Sequence, residues 1–338
     1  MGNSCSQRLD WEDAFKGVCI IEIVLMHIHY DWEKGIMPEW ILVPYFVPAF
    51  FFISGTFHKN RTFKEIIRQK TNTLLVPFFL WYVLALALKL AVLILTQGLP
   101  AIHDLWVNMG YSPFSYQNVN GALWFLIGLF EMILFTKAIS LLKNKWLMLM
   151  VSLPCAACGM LMMAKVLPSL DTFGIIPIAS ILWFQVFYIL GMLWGEPILN
   201  LILHEWNKTK IACFVVSFSF VCAVNLLPIT QYPLNLIPYM GWQALAACCF
   251  IFGALQICYW FRKYFPPLHY VLRFFGYYSL IVLAIHMPIY SLLYNSTGWD
   301  KEAYCSIFTV AFFIGLIPFC LAVEKWCPAL LGRKRIFK

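Results

Sequence analysis

The sequence predicts an all-α, polytopic membrane protein that forms a single domain over residues 1–338. Hydrophobic residues make up 62% of the chain and charged residues only 12%, which is typical of membrane proteins. Apolar segments of about 20 residues, the length with which a helix crosses the hydrocarbon of a bilayer, recur along the whole chain. The stretches between them are too short to form a soluble domain with its own core.

We count about ten such segments, each long enough or nearly long enough for a transmembrane helix. The second is slightly short for a full crossing. The sequence therefore predicts about ten transmembrane helices, at residues 14–31, 40–56, 74–96, 121–142, 147–165, 174–194, 211–227, 238–261, 276–295 and 303–323.

The basic residues predict the orientation of these segments, because Lys and Arg near segment ends favour the cytoplasm. With the N-terminus inside, nearly all of them fall in the inner loops and tails. The exceptions are Lys34, Lys165 and Lys301 in outer loops and Lys89 within the third segment. We therefore expect a multi-pass protein of the plasma (inner) membrane, with both termini in the cytoplasm.

The composition also limits the partners of the chain. The net charge of +8 comes from basic residues at the membrane surface, so the lipid bilayer is the expected partner and nucleic acid is not. Most of the 12 Cys residues lie in apolar segments, where they act as small hydrophobic residues. The one CxxC pair, Cys155 and Cys158, has no second pair and no neighbouring His, and we expect no metal site.

The first segment is preceded by a charged stretch and carries ionisable residues where lipid-facing residues are expected. Lys16 and His27 are eleven residues apart, which places them within about 20° of one helix face and roughly 16 Å apart along the axis. One helix face therefore links the membrane surface to the middle of the bilayer. Glu22 lies on another face. A hydrogen-bonded His that joins two helices is the alternative explanation of His27.

A second His lies inside the ninth segment. His286 is about ten residues from the start of that segment, and Pro288 two residues later weakens the local backbone hydrogen bonding. Ser279, seven residues before His286, falls on nearly the same helix face. Two imidazoles at the middle depth of one membrane protein are harder to explain by packing alone.

Two loops differ sharply in charge. The outer loop 97–120 has no Lys or Arg and is rich in aromatic, Asn and Gln side chains, which suits either stacking on sugars or an aromatic belt at the interface. The inner loop 57–73 is strongly basic, which indicates either the inside orientation alone or a phosphate-binding surface. Its basic residues are Lys59, Arg61, Lys64, Arg68 and Lys70.

Five pieces of the sequence, spread over nearly the whole chain, resemble the integral-membrane acyltransferase 3 family, and especially its fucose-4-O-acetylase-like members. The spacing of the basic residue to His27, joined to FFxSG and SLxxxxIH, is the most specific part of the resemblance. The pieces are RLDWEDAFKGVCIIEIVLMH, VPAFFFISGTFHK, KTNTLLVPFFLWY, GALWFLIGLF and FFGYYSLIVLAIHMP.

The chain departs from the family pattern at two places. Many members have Arg where this chain has Lys16, and an Arg-x-x-Arg pair where this chain has Lys70 and Thr73. A Lys side chain cannot reproduce the bidentate contacts of Arg. Arg68 or Lys64 is a candidate to replace the missing pair.

The resemblance implies transfer of an acyl group, usually acetyl, from cytoplasmic acyl-CoA to a hydroxyl of a cell-surface glycan or lipid-linked sugar. His27 then serves as the general base for the attacking hydroxyl or as a covalent acyl relay. Lys16 and the five basic residues of loop 57–73 hold the phosphates of acetyl-CoA, and Asp13 pairs with Lys16 and orients it.

On the acceptor side, His286 is a further candidate catalytic residue, and no metal is implied. Trp124, Asn120 and Ser279 are candidates for binding the acceptor. For each of these residues, packing between helices is an equally good explanation.

A secondary transporter is the alternative function. Glu22, His27, Lys89, Glu131 and His286 are ionisable residues within the membrane segments, and such residues form proton relays in transporters. Transporters commonly have two related halves with interrupted helices. The sequence contains no matching pair of Gly or Pro interruptions, so the acyltransferase is the preferred prediction.

Overall fold

The computed structural model describes residues 10–29, 45–108, 117–163, 166–168, 178–202, 208–226, 236–297 and 301–333. Helices make up nearly all of this part of the chain, and it contains no β-strand. The prediction of an all-α membrane protein is confirmed.

The described helices are named here in chain order. A π-helical turn at Thr71–Leu75 joins the third to the fourth, a 3₁₀ turn at Gly121–Leu123 leads into the seventh, and another at Pro328–Leu331 follows the last. The helices are α1 Asp10–His29, α2 Phe46–Thr56, α3 Phe63–Lys70, α4 Val76–Gln97, α5 Pro100–Asn108, α6 Gln117–Asn120, α7 Trp124–Ser140, α8 Lys145–Met163, α9 Ile178–Ile202, α10 Lys208–Leu226, α11 Leu236–Tyr264, α12 Pro266–Tyr277, α13 Ser279–Thr297 and α14 Lys301–Trp326.

Six helices in the described part of the chain are long and apolar enough to cross a membrane, and a seventh is added if α12 and α13 form one span bent by 77°. These seven match seven of the ten predicted segments. The other three predicted segments correspond to α1, which carries five charged residues, to α2, which has 11 residues, and to α10, which borders residues outside the described ranges. The number of ten and the orientation of the termini therefore stay predictions.

Helix α1 lies inside the bundle and packs most extensively on α12. Phe15, Cys19 and Val24 are completely buried. The two backbones touch at Gly17 and Gly276: a Cβ at Gly17 would overlap the carbonyl of Leu272, and one at Gly276 would overlap that of Asp13. Small residues allow this close approach between membrane helices. The position of α1 is therefore fixed by α12, with an ion pair of 3.2 Å between Asp10 and Arg273 at one end.

Helix α2 is held in the same way by α9. A Cβ at Gly55 would overlap the carbonyl of Tyr188, and one at Gly191 would overlap that of Phe52. The FFFISG segment therefore ends at a fixed place, and the basic loop begins directly after it.

The basic loop folds into α3, a short amphipathic helix. Thr62 and Glu65 form a capping box at its N-terminus, in which each side chain accepts a hydrogen bond from the other's backbone N–H. Ile66 is the buried residue of this helix. At its C-terminus the π-helical turn leads into α4, and the amide of Asn72 donates to the carbonyl of Arg68, 2.9 Å away. Turns of this kind are frequent at functional sites.

The α1–α12 contact predicts the effect of a single methyl group. We expect Gly276→Ala to lower the free energy of unfolding by about 1–3 kcal/mol, the usual cost of overpacking, because its Cβ meets backbone that cannot rotate away. The matched control is Gly315→Ala on α14, where a Cβ meets no atom within 4 Å. Thermal unfolding of both variants in detergent checks this. Equal stability of the two would contradict a tight α1–α12 contact.

Candidate active site

A basic cavity of about 250 Å³ lies where α1, the loop after α2, α3, α7 and α9 meet. Four of the six predicted phosphate-binding residues line it, and they come from three different elements. Its lining consists of Glu12, Lys16, Ser54, Phe57, His58, Lys59, Arg61, Ile66, Gln69, Lys70, Leu129, Ile133 and Tyr188.

The remaining two predicted phosphate-binding residues, Lys64 and Arg68, do not line this cavity. Both are exposed on α3, on the face opposite Ile66. The helical period explains the difference, since residues two positions from Ile66 in either direction point away from the side that packs on the bundle. Of the two positions that correspond to the family's Arg-x-x-Arg pair, Lys70 lines the cavity and Thr73 does not.

The structure places the carboxylate of Glu12 against Lys16, whereas the sequence analysis predicted Asp13 as its partner. Lys16 Nζ donates to Glu12 Oε1, four residues earlier on the helix surface. Asp13 is buried, with 3% of its surface exposed, and its backbone lies against Gly276 on the α12 side. An i,i+4 pair shares one face of a helix, so Glu12 faces the cavity together with Lys16.

His58 lines the cavity and was missed by the sequence analysis. One of its ring nitrogens, Nδ1, lies 3.1 Å from the hydroxyl of Tyr188, which is a buried residue of α9. The pKa of His58 is below its ordinary value because the ring is partly buried and because Lys137 and Lys70 add positive charge nearby. Its position between the FFFISG segment and the first basic residue of the loop was the available signal.

The second polar centre is formed by His27 and His286. Their ring centroids are 5.0 Å apart, and the ring planes are inclined by 58°. His27 Nδ1 lies 2.8 Å from the carbonyl oxygen of Ile23, and His286 Nδ1 lies 3.0 Å from that of Val282. A carbonyl can only accept, so each neutral ring carries its proton on Nδ1 and leaves Nε2 free to accept one.

His286 is almost completely buried, with 2% of its surface exposed. Its Nε2 is without a hydrogen-bond partner among the described residues. A buried imidazole nitrogen of this kind accepts a hydrogen bond from any hydroxyl that reaches it, and an imidazole free on one nitrogen is a competent base. The two imidazoles predicted from the sequence therefore meet in the structure.

Asn120 lies next to the same part of α13. Pro288 has no N–H, so the carbonyl of Ala284 four residues earlier lacks its helical donor. Asn120 Nδ2 donates to that carbonyl over 2.6 Å. The side-chain amide of Asn120 thus replaces the missing helical donor two residues from His286, while its own Oδ1 has no partner among the described residues.

Trp124 and Ser279 are placed differently. The ring of Trp124 stacks on Phe184, with centroids 6.2 Å apart, and meets Phe125 edge-on. Ser279 begins α13 and is half-buried, about 10 Å along the helix axis from His286. Neither the ring contacts of Trp124 nor the position of Ser279 connects it to the imidazole pair.

The basic cavity and the imidazole pair are two separate centres on α1. Lys16 lines the cavity and His27 does not. Ile20 and Val24, which lie between them on α1, are 1% and 0% exposed. The sequence analysis placed Lys16 and His27 on one helix face as a link between the membrane surface and the middle of the bilayer. In the structure, packed side chains fill the roughly 16 Å that separate the two levels.

The residues of the alternative proton relay are distributed over several helices. Glu22 lies on α1 and Glu131 on α7, and Oε2 of Glu131 is buried without a hydrogen-bond partner in the described part of the chain. The described contacts join His27 to His286, and none joins Glu22 or Glu131 to either ring.

Comparison with known proteins gives one finding. A family model described as an acyltransferase domain, that of the acyltransferase 3 family, matches residues 9–325, which is nearly the whole chain. No curated protein and no solved structure matches the chain significantly.

The hydrogen bond from Asn120 predicts a non-additive effect on stability. We expect Asn120→Ala to lower the free energy of unfolding by about 0.6–1.7 kcal/mol, the range for hydrogen bonds between membrane helices. In a Pro288→Ala background the loss should be smaller, because the restored N–H of residue 288 donates to the carbonyl of Ala284.

Unfolding of the wild type, both single variants and the double variant in detergent gives this interaction energy as a double-mutant cycle. An Asn120→Ala effect that is the same in both backgrounds would mean that Asn120 acts through other contacts.

Proposed function

The chain belongs to the acyltransferase 3 family of membrane acyltransferases, and we propose that it moves an acetyl group from cytoplasmic acetyl-CoA to a hydroxyl of a cell-surface glycan or lipid-linked sugar. The proposed location is the plasma (inner) membrane. The observation that carries the proposal is that α1 supplies both Lys16 to the basic cavity and His27 to the imidazole pair.

The charge of the cavity supports the donor. Lys16, Lys59, Arg61 and Lys70 bring four positive charges against the single carboxylate of Glu12 in the lining. Excess positive charge in a partly enclosed site favours phosphates. The volume of about 250 Å³ is below that of sites for drug-sized ligands, which hold roughly 300–1,000 Å³. The cavity therefore suits the phosphate groups of CoA and leaves the rest of the molecule outside.

The distance between the two centres supports the same donor. The arm of CoA has about thirteen bonds from phosphorus to sulfur, and an extended chain advances about 1.2 Å per bond, which gives roughly 16 Å. The rise from Lys16 to His27 is also roughly 16 Å. Phosphates held at Lys16 would therefore bring the thioester to the depth of His27. The side chains packed around Ile20 and Val24 have to move aside for the arm.

The chemistry assigned to His27 follows from its free Nε2. The acceptor hydroxyl transfers its proton to Nε2 while its oxygen attacks the thioester carbonyl, so a C–O bond forms as the C–S bond breaks. The imidazolium then returns the proton to the CoA thiolate. In the covalent alternative, Nε2 itself attacks the thioester, so a C–N bond forms as the C–S bond breaks and CoA leaves as the thiolate. The acceptor oxygen then attacks the acyl-imidazole, a C–O bond forms as the C–N bond breaks, and the hydroxyl proton goes to the CoA thiolate.

His286 and Asn120 are assigned to the acceptor. His286 Nε2 and Asn120 Oδ1 are buried acceptors without a partner among the described residues, and hydroxyl groups are the donors that satisfy such atoms. Trp124 offers an aromatic face of the kind that stacks on sugars, and Ser279 a hydroxyl nearer the inner end of α13. Asp13 is assigned to the support of α1 against α12, because it is buried and its backbone lies against Gly276.

The proposal predicts that His27→Ala abolishes activity. We expect purified wild-type protein in nanodiscs to release CoA from acetyl-CoA when a cell-surface glycan acceptor is present, and His27→Ala to do so at least 100-fold more slowly, the usual contribution of a general base. His103→Ala is the control, because His103 is exposed on α5. Release of CoA is measured with a thiol reagent. Undiminished release by His27→Ala at equal expression would remove His27 from the mechanism.

The cavity predicts a difference between two lysines. We expect Lys16→Met to weaken the binding of acetyl-CoA by about 10- to 100-fold, as for the loss of one charged hydrogen bond, with a small effect on kcat. Lys64→Met removes the same charge from the exposed face of α3 and should leave affinity nearly unchanged. Apparent KM values of both variants check this. Equal changes in the two would mean that surface charge alone attracts the donor.

A further inference from the structure

The family resemblance assigns no role to His58, yet this residue lines the basic cavity. It directly follows α2, whose end is fixed on α9 by the contact of Gly55 with the backbone of Tyr188. Its ring meets the hydroxyl of Tyr188 at 3.1 Å and lies edge-on to the phenol ring, with centroids 5.8 Å apart. The imidazole is therefore held in one orientation by a rigid neighbour.

The contact with Tyr188 suits both protonation states of the imidazole. A phenol hydroxyl can donate to Nδ1 of a neutral ring, and its oxygen can accept from Nδ1–H of a charged ring. In either case Nε2 is left to carry a proton and to act as a donor. The ring can therefore change its charge without losing this hydrogen bond.

The surroundings of His58 keep the ring neutral while the cavity holds no anion. Lys16 of α1, Lys59 and Arg61 of the loop and Lys70 of α3 line the same cavity as His58, and Lys137 of α7 adds positive charge near the ring. Glu12 is the one carboxylate of the lining, and its partner is Lys16. The pKa of His58 is accordingly lowered by burial, by Lys137 and by Lys70. A phosphate placed among these groups reverses the sign of the local potential.

We propose that His58 is a direct ligand of a donor phosphate and binds it as the imidazolium, so that acyl-CoA binding takes up a proton from the cytoplasm. This inference rests on the proposed function, since it concerns the same cavity. Nε2–H then donates to a phosphate oxygen while Nδ1–H donates to Tyr188. The proton comes from solvent, and no bond of the donor changes.

The sign of the pH dependence follows from this linkage. Bound phosphate raises the pKa of His58 above its value in the free protein, so binding is strongest at low pH and weakens as the pH rises through the pKa of the bound state. With one proton taken up, the affinity falls by up to about tenfold per pH unit. The phosphate monoester of CoA titrates near pH 6, so the range from about pH 6.5 to 8.5 separates the two groups.

Calorimetry of CoA binding to the full-length protein in detergent tests the proposal. Titrations at one pH in two buffers with different ionisation enthalpies give the number of protons taken up. We expect an uptake of up to about one proton for the wild type and nearly none for His58→Gln, whose amide can still accept from Tyr188. His103→Gln, on the exposed α5, is the control and should behave as the wild type.

The possible outcomes separate the two proposals when pyrophosphate is titrated as a second probe. Equal proton uptake by the wild type and His58→Gln overturns the role of His58 and leaves the donor assignment standing. Proton uptake that depends on His58 with pyrophosphate, in a protein that does not bind CoA, supports the phosphate site and overturns the donor. A wild-type protein that binds neither probe overturns both.

Discussion

The backbone contact between α1 and α12 is the constraint on which the rest of the structure depends. Helix α1 carries too many charged residues to face lipid, and it is accommodated because Gly17 and Gly276 let it lie directly on α12. The chain turns by 77° after α12 and continues as α13. The helix that carries His27 and the helix that carries His286 are thus positioned by one crossing, and the separation of 5.0 Å between the two rings follows from it.

The polar groups around the imidazole pair form hydrogen bonds with nearby backbone, and a few acceptor atoms have no partner among the described residues. Each imidazole donates through Nδ1 to a carbonyl of its own helix, and Asn120 donates to the carbonyl that Pro288 leaves without a donor. A buried acceptor without a partner costs about 1–3 kcal/mol. His286 Nε2 and Asn120 Oδ1, which have no partner in the described part of the chain, carry this cost, and hydroxyl donors from an acceptor would remove it. The cost is therefore consistent with a site built for a hydroxyl.

Much of the fold could be predicted from the sequence, because the length and hydropathy of a segment predict whether it forms a membrane helix. That Lys16 and the basic loop lie at the same membrane face could also be predicted, since Lys and Arg near segment ends favour one side of the membrane. The sequence did not predict which face of α3 packs on the bundle, because the loop is basic on all sides and the position of Ile66 determines the packed side. The pairing of Lys16 with Glu12 depends on which face of α1 meets α12, and that is a tertiary contact.

His58 and Tyr188 could not be paired from the sequence either, because they are 130 positions apart and meet through the packing of α2 on α9. The same limit applies to the depth of the cavity. Helical rise gives the distance from Lys16 to His27, but it does not tell whether the space between them is open or filled. That space is filled by Ile20, Val24 and their neighbours, and only the packed bundle reveals this.

The division of the site into two levels has a physical reason if the donor is an acyl-CoA. Phosphates cannot leave the headgroup region without a large desolvation cost, so they have to be bound where Lys16 and Arg61 meet water. The thioester has to reach an imidazole that is shielded from water, since an open path would admit hydrolysis. Only the uncharged arm can span the two levels. The packed core between Lys16 and His27 would then separate the imidazoles from the basic cavity until bound phosphates hold the arm in place to enter it.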